Sequence, residues 1–323
     1  MITPFESRFP NVHRAYSNNP ERFSSIDGSV ETWSRELTRA EDLPVECIAL
    51  LPGLFQAFPY CVRTPAMTNL RVPEPESFLF LRDSSLVIMK RTAAAVSVFQ
   101  SELAAIDALE TETTLLQSSI TFYPRDGSPV RIAFNTVVED LFAPVIASYL
   151  KARGTEVHEA AQLRAIQPDP FEDLLARDYK YHSYAFSVLP EDEAKSRFYH
   201  PTESAPDLFS WSRLIPSYLL VASGSMLYGF SEREPFRSRS QADYSLVVRY
   251  LPLTSDFAIG FRSLRGENRF RMVTLRAGAA AFEMPLARDT EIDFDAFSRT
   301  LLPVLPSAEL SQGFEEGWDQ KVG

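Results

Sequence analysis

The sequence predicts a mainly β protein of the α+β class, with two strand-rich units in tandem that each end in one helix. Three observations point there. Apolar residues alternate in short runs divided by tight-turn residues. The period changes from two to four at the end of each half. The order of elements in the second half repeats that of the first.

The stretch Leu115 to Arg153 shows all of this best. Ile120 and Phe122, then Val130, Ile132 and Phe134, recur at every second residue, the period of a half-buried strand. Arg125-Asp126-Gly127-Ser128-Pro129 lies between them, and glycine accepts the positive φ of a tight return. Val137/Val138, Leu141/Phe142, Val145/Ile146 and Tyr149/Leu150 then follow a four-residue repeat, which stacks them on one side of a helix. Pro144 falls inside that helix. Either the helix kinks near Asp140 or its regular part begins close to Ala143, and Thr136-x-x-Glu139, read as a capping box, favours the kinked, longer form.

Upstream, residues 1–45 form a polar, turn-rich arm, with Ser29 or Asp27 as cap of a short helix through Trp33 and Leu37. From Cys47 the chain turns apolar. The apolar stretch leads through Phe58–Pro65 to a hairpin of Phe78–Asp83 with Ser85–Lys90 across a two-residue turn, then a strand at Ala94–Phe99, and Ile106–Glu112 follows. Residues 46–154 make the first unit and 155–185 the connection, where Phe171 opens a short helical turn.

The second unit, 186–306, replays the order. Ser187-Val188-Leu189-Pro190 echoes Leu50-Leu51-Pro52, and Ser217–Ala222 with Ser225–Phe230 echoes the hairpin at 78–90. Strands follow at Tyr244–Tyr250, around Phe257/Ile259/Phe261, at Phe270/Met272 and at Phe282–Leu286. A closing helix starts near Asp293 with Phe294, Phe297, Leu301 and Leu305 on one side, and 307–323 is a tail.

The order of elements resembles a known family. Leu51-Pro52, Phe78-Leu79-Phe80-Leu81-Arg82-Asp83, Leu115-Leu116-Gln117-Ser118 and Ile132-Ala133-Phe134-Asn135 look like bacterial pleckstrin-homology-like (PH-like) domains. The resemblance implies two β-barrels, each closed by a C-terminal α-helix, over 46–154 and 186–306. It also implies binding of lipid head groups, peptides or proteins, and transfers no individual residue. The basic first-hairpin loop of phosphoinositide-binding members is not matched, since Lys90-Arg91-Thr92-Ala93-Ala94 carries two charges.

Composition narrows the function classes. A net charge of −11 argues against a nucleic-acid binder and against non-specific adhesion to anionic membrane. No run approaches the ~18 apolar residues of a membrane span. The first residues lack the pattern of a signal peptide, so a cytoplasmic location is expected. Cys47 and Cys61, the two cysteines, stand in apolar company and read as buried, inert thiols. No spacing suggests zinc, a calcium loop or a phosphate-cradling glycine loop, so no cofactor is expected.

Few residues suggest chemistry. His182, among tyrosines, with Asp178 nearby would serve as the acid–base pair of a hydrolase, and His200 follows Phe198-Tyr199. Packing is the simpler reading of both. Glu102, Asp107, Glu110 and Glu112 read as a solvated face or strand edge. The strongest signal is electrostatic: nine arginines and five acidic residues between Gly229 and Ala277, locally +4 in a chain of −11. Arg233, Arg237, Arg239, Arg265 and Arg269 occupy expected loops or flank them, a candidate contact surface for an acidic protein or anionic ligand. The alternative is a wet strand face paired to neighbouring glutamates. The expectation is a non-enzymatic binding or scaffolding protein, with peripheral attachment to anionic lipid as the competing reading.

Overall fold

The computed structural model describes residues 33–51, 54–67, 73–155, 171–189, 194–205, 213–234, 237–238, 245–264 and 267–301. The chain is mainly β, in several sheets. Two compact units divide it. The first takes the described residues up to Ile106, Thr113–Phe122 and those between Ser128 and Asp169. The second takes Asp107–Glu112, Tyr123–Gly127 and the described residues from Pro170 onwards.

The first unit begins with β1 (Arg35–Leu37) and a short turn of helix, α1 (Val45–Ile48). Strands β2 (Tyr60–Thr64), β3 (Glu76–Arg82), β4 (Ser85–Arg91) and β5 (Val96–Glu102) follow, and the five form one antiparallel sheet in the order β1-β2-β3-β4-β5. The expected two-residue turn joins β3 to β4, with Asp83 at φ 52°. Leu37, Leu43, Cys47, Cys61, Phe78, Phe80, Val87 and Met89 build a core on one face. The helix expected through Trp33 and Leu37 does not form: Leu37 pairs with Cys61 across β1 and β2 and is buried. Burying Leu37 on the sheet outweighs the capping signal, because local helix propensity is the weaker of the two.

Glu76 sits at the end of this sheet, buried, and accepts 2.7 Å hydrogen bonds from both Arg63 Nε and Arg91 Nε. One carboxylate thus holds two neighbouring strands by charge-assisted bonds.

Strand β6 (Ile106–Thr113) leads to the hairpin of β7 (Gln117–Pro124) and β8 (Val130–Asn135), paired from Gln117↔Asn135 to Phe122↔Val130. A 3-10 turn, Thr136–Phe142, then precedes α2 (Ala143–Ala152). The regular helix therefore starts at Ala143, with Pro144 in its first turn, where the missing N–H has no helical partner to lose. The bend lies at Val138, whose φ and ψ are non-helical. The capping box is not made. Thr136 Oγ1 donates to Thr114 O, Glu139 accepts from Thr113 Oγ1, and Asn135 Oδ1 caps Val137 N–H. Val145, Ile146, Tyr149 and Leu150 form the buried side of α2, as the four-residue repeat requires.

The second unit opens with α3 (Glu172–Leu175) and α4 (Tyr179–Val188). Helix α4 occupies residues expected as connection and as the Leu-Pro lead-in. Strands β9 (Ala194–His200), β10 (Glu203–Ala205), β11 (Arg213–Ile215), β12 (Tyr218–Ser223), β13 (Met226–Ser231), β14 (Arg237–Ser238) and β15 (Leu246–Pro252) follow. In this unit the order β6-β15-β13-β12-β9 forms the larger sheet and β10-β11-β14 a small one. Strands β16 (Phe257–Leu264), β17 (Glu267–Ala277) and β18 (Ala280–Ala287) form a three-stranded meander, and α5 (Glu291–Leu301) follows. No sheet closes on itself among the described residues, in contrast to the closed barrels expected.

The core of this unit joins the larger sheet, the meander and α5: Leu220, Leu227, Leu251, Phe257, Leu275, Phe282, Phe294, Phe297 and Leu301 share one cluster. Phe294 meets Phe198 edge-on at 5.1 Å and Phe261 at 5.8 Å. The apolar side of α5 is the one its sequence marks. Pro303, Leu305 and the tail lie outside the described residues.

Candidate functional site: the arginine-rich strands of the second unit

Arg249 is the one residue of β15 that is not buried, Arg262 lies on the exposed end of β16, and in β17 the exposed or half-buried Arg269, Arg271 and Arg276 are interleaved with the buried Phe270, Met272 and Leu275. Arg249 Nε binds Glu110 Oε2 at 2.9 Å and Nη1 binds Ser231 Oγ at 2.7 Å, and its guanidinium lies 5.0 Å from the Phe282 ring centre. Arg233 Nε is 3.3 Å from Glu112 Oε1, and its backbone N–H donates to Ser245 Oγ at 2.8 Å. Arg262 makes a two-pronged pair with Glu283 at 3.2 and 2.8 Å, and Arg271 Nε lies 3.1 Å from Glu291.

Four of the nine arginines are therefore matched by carboxylates that lie outside their own stretch of sequence. Glu110 and Glu112, read from sequence as a solvated face, are two of those partners. Arg233, though paired, keeps more than half of its side chain open to solvent.

The five candidate positions divide differently. Arg239 and Arg265 lie outside the described residues. Arg233 borders a shallow, solvent-open depression with Ser217, Tyr218, Arg249, Glu283 and Pro285. Arg237 stands opposite Leu214 in the small sheet. The next residue of β11, Ile215, packs with Phe270 and Ala287. Arg269, exposed and directly before Phe270, holds its guanidinium 5.5 Å from that ring. Arg237 thus belongs to β14 of the small sheet and Arg269 to β17 of the meander, and the link between the two sheets is the apolar contact of Ile215 with Phe270 and Ala287. Glu203, opposite Ile215, is nearby; burial and Asp289 push its carboxyl up, and the Arg269 charge acts against both.

The groups expected to do chemistry are held in the framework. Asp178 caps α4: its carboxylate accepts from Ser217 Oγ at 2.7 Å, Tyr199 OH at 3.3 Å and Tyr181 N–H at 3.4 Å. His182 lies one turn on, with its ring between Tyr179 and Phe186 at 6.3 and 6.1 Å. His200 is fully buried, stacked on Tyr218 at 4.7 Å with ring planes 4° apart, and its Nε2 accepts the Ala287 N–H at 3.2 Å. Burial pushes its pKa down to about 4. Cys47 and Cys61 are buried free thiols, and burial pushes both upward.

Asp107 is not on the solvated edge expected of it. It is buried, and its carboxylate accepts the Ala279 N–H at 3.0 Å and Arg125 Nε at 3.3 Å. Its role was invisible in sequence because Ala279 lies 172 residues away.

Among the described residues no group of three or more His, Cys, Asp or Glu could hold a metal ion, and no helix is long and apolar enough to cross a membrane. No family model and no curated protein matches the chain.

Proposed function

We propose that this chain is a non-enzymatic binding or scaffolding protein made of two PH-like units, and that the second unit grips an acidic protein or anionic ligand. Its contact surface is centred on Arg237 and Arg269, extended by Arg233, Arg239 and Arg265. The observation that carries this reading is the excess of nine arginines over five acidic residues between Gly229 and Ala277, with Arg269 exposed near the start of β17. The PH-like assignment of the units draws support from their order, strands followed by one apolar-faced helix in each, α2 and α5. The hydrolase reading ranks last because Asp178 is occupied as a helix cap.

Two experiments divide the alternatives. Affinity capture from the native host, comparing the wild type with Arg237→Glu/Arg269→Glu, is expected to lose its specific partner in the variant. Flotation with phosphatidylcholine vesicles, with and without phosphatidylserine, is expected to show no dependence on the anionic lipid. Anionic-lipid-dependent flotation that the double variant abolishes replaces the protein-partner reading with the membrane one. Unchanged capture removes the arginine surface.

A further inference from the structure

A β-sheet edge is a row of unpaired backbone donors and acceptors, and proteins blunt it with Lys or Arg, Pro, bulges or brevity. Among the described residues this chain does so at nearly every edge. In the first unit β1 has three residues and carries Arg35 and Glu36, and β8 carries Arg131. In the second unit β9 carries Lys195 and Arg197, β16 carries Arg262, β18 carries Pro285, and β10 and β14 have three and two residues. Strand β5 is the exception. It is seven residues long, Val-Ser-Val-Phe-Gln-Ser-Glu, with Glu102 at its end as the lone charge and no proline.

Pairing with β4 is continuous and unbulged, from Ser85↔Glu102 to Arg91↔Val96. Among the described residues no strand lies on the other side of β5, and none of its outward backbone groups is bonded to a turn or loop. Both faces end there on apolar side chains. Val98, 44% exposed, stands opposite the fully buried Met89, and half-buried Phe99 stands opposite buried Ile88. An added strand would complete the ladder and cover the core margin on both faces at once.

We infer that β5 is a self-association edge, and that its occupant is β5 of a second copy of this chain, paired antiparallel about a two-fold axis near Phe99. The strand is its own complement in that arrangement. Ser97 falls opposite Ser101, Val98 opposite Gln100 and Val96 opposite Glu102, so no like charges meet. The two Glu102 carboxylates end at opposite ends of the ribbon, about 20 Å apart at 3.3–3.4 Å per residue. A parallel pair would set them side by side. Two chains of −11 repel at long range, so the dimer is weak and added salt strengthens it. That sign is opposite to binding of an anionic partner by arginines, which salt weakens, so the two interactions are separable.

The test is sedimentation equilibrium of the full chain over a wide dilution series at low and moderate salt, with Val98→Lys as the variant. Val98 is exposed enough that lysine leaves the fold intact, which a melting curve verifies. The wild-type weight-average mass is expected to rise from 36.5 kDa towards twice that value, more steeply at moderate salt. Val98→Lys is expected to need roughly tenfold more protein for the same mass, since an edge lysine must be desolvated to pair. Hydrogen exchange of the Val96–Glu102 amides is expected to quicken on dilution. A wild-type mass of 36.5 kDa throughout, a dimer indifferent to Val98→Lys, or a monomer whose β5 amides stay protected at every dilution overturns the inference. The last result would place another segment of the same chain on the edge.

Discussion

Gly278 offers the sharpest test of how the second unit is held together. It turns β17 into β18 at φ 55°, and a Cβ added there would lie 1.9 Å from Asp107 Oδ2, 2.3 Å from its Cγ and 2.9 Å from its Cβ. The last two distances matter most, because rotating the carboxylate does not move the Asp107 Cβ. Gly278→Ala therefore carries two costs. A left-handed conformation for alanine costs about 1 kcal/mol. Displacing the buried Asp107 carboxylate from the Ala279 N–H and from Arg125 costs roughly a further 1–3 kcal/mol. The sum, about 2–4 kcal/mol, corresponds to a fall in Tm of roughly 5–15 °C at 2–4 °C per kcal/mol. Urea denaturation of Gly278→Ala, Asp107→Ala and the double variant gives the coupling. Asp107→Ala removes the 1.9 and 2.3 Å contacts and leaves only the 2.9 Å approach to Cβ, so Gly278→Ala should then cost little more than the backbone share, about 1 kcal/mol. Strict additivity of the two substitutions, or a Gly278→Ala variant within about 0.5 kcal/mol of the wild type, would refute the reasoning.

Three further outcomes follow from named contacts. His200 ionises near pH 6.5 when unfolded but is held to about 4 in the fold, so the unfolded chain binds more protons between those values. Stability should thus be full above pH 6.5 and fall by up to about 3 kcal/mol as pH drops to 4, as read by denaturant titration, with His200→Asn flattening the slope. Glu76→Ala leaves Arg63 and Arg91 facing each other at the end of the first unit's sheet; a loss of about 1–3 kcal/mol in chemical denaturation is expected, discounted for the partial exposure of both arginines. Phe294→Ala empties the contact of α5 with Phe198 and Phe261 and should cost about 3–5 kcal/mol, whereas Phe261→Ala, 42% exposed, should cost clearly less by the same measurement.

What could be read from the sequence was whatever is encoded within a few neighbouring residues. The β3–β4 and β7–β8 hairpins, the β12–β13 pair and the apolar face of α5 all follow from local periodicity and turn chemistry, and they stand where expected. Helix α4 was missed because its buried side is made of Tyr181 and Ala185 among Lys, His and Ser, so no aliphatic stripe betrays the period. Strand β1 was missed because three residues are too few to show alternation and its burial depends on Cys61, far along the chain. The arginine-rich window was legible as a charge excess but not as a set of pairs. Arg249 finds Glu110 across 139 residues, and counting charges within a window cannot reveal that partner. The contact of Ile215 with Phe270 and Ala287 was hidden for the same kind of reason, since its members lie far apart in the chain.

The claim that arginines of the second unit grip an anionic partner is tested most directly by quantitative capture from the host. At matched melting temperatures, Arg237→Glu/Arg269→Glu is predicted to retain at least roughly tenfold less of the partner than the wild type, while Arg262→Ala, paired to Glu283 elsewhere on the meander, retains the wild-type amount. Equal retention by the wild type and the double variant would contradict the account.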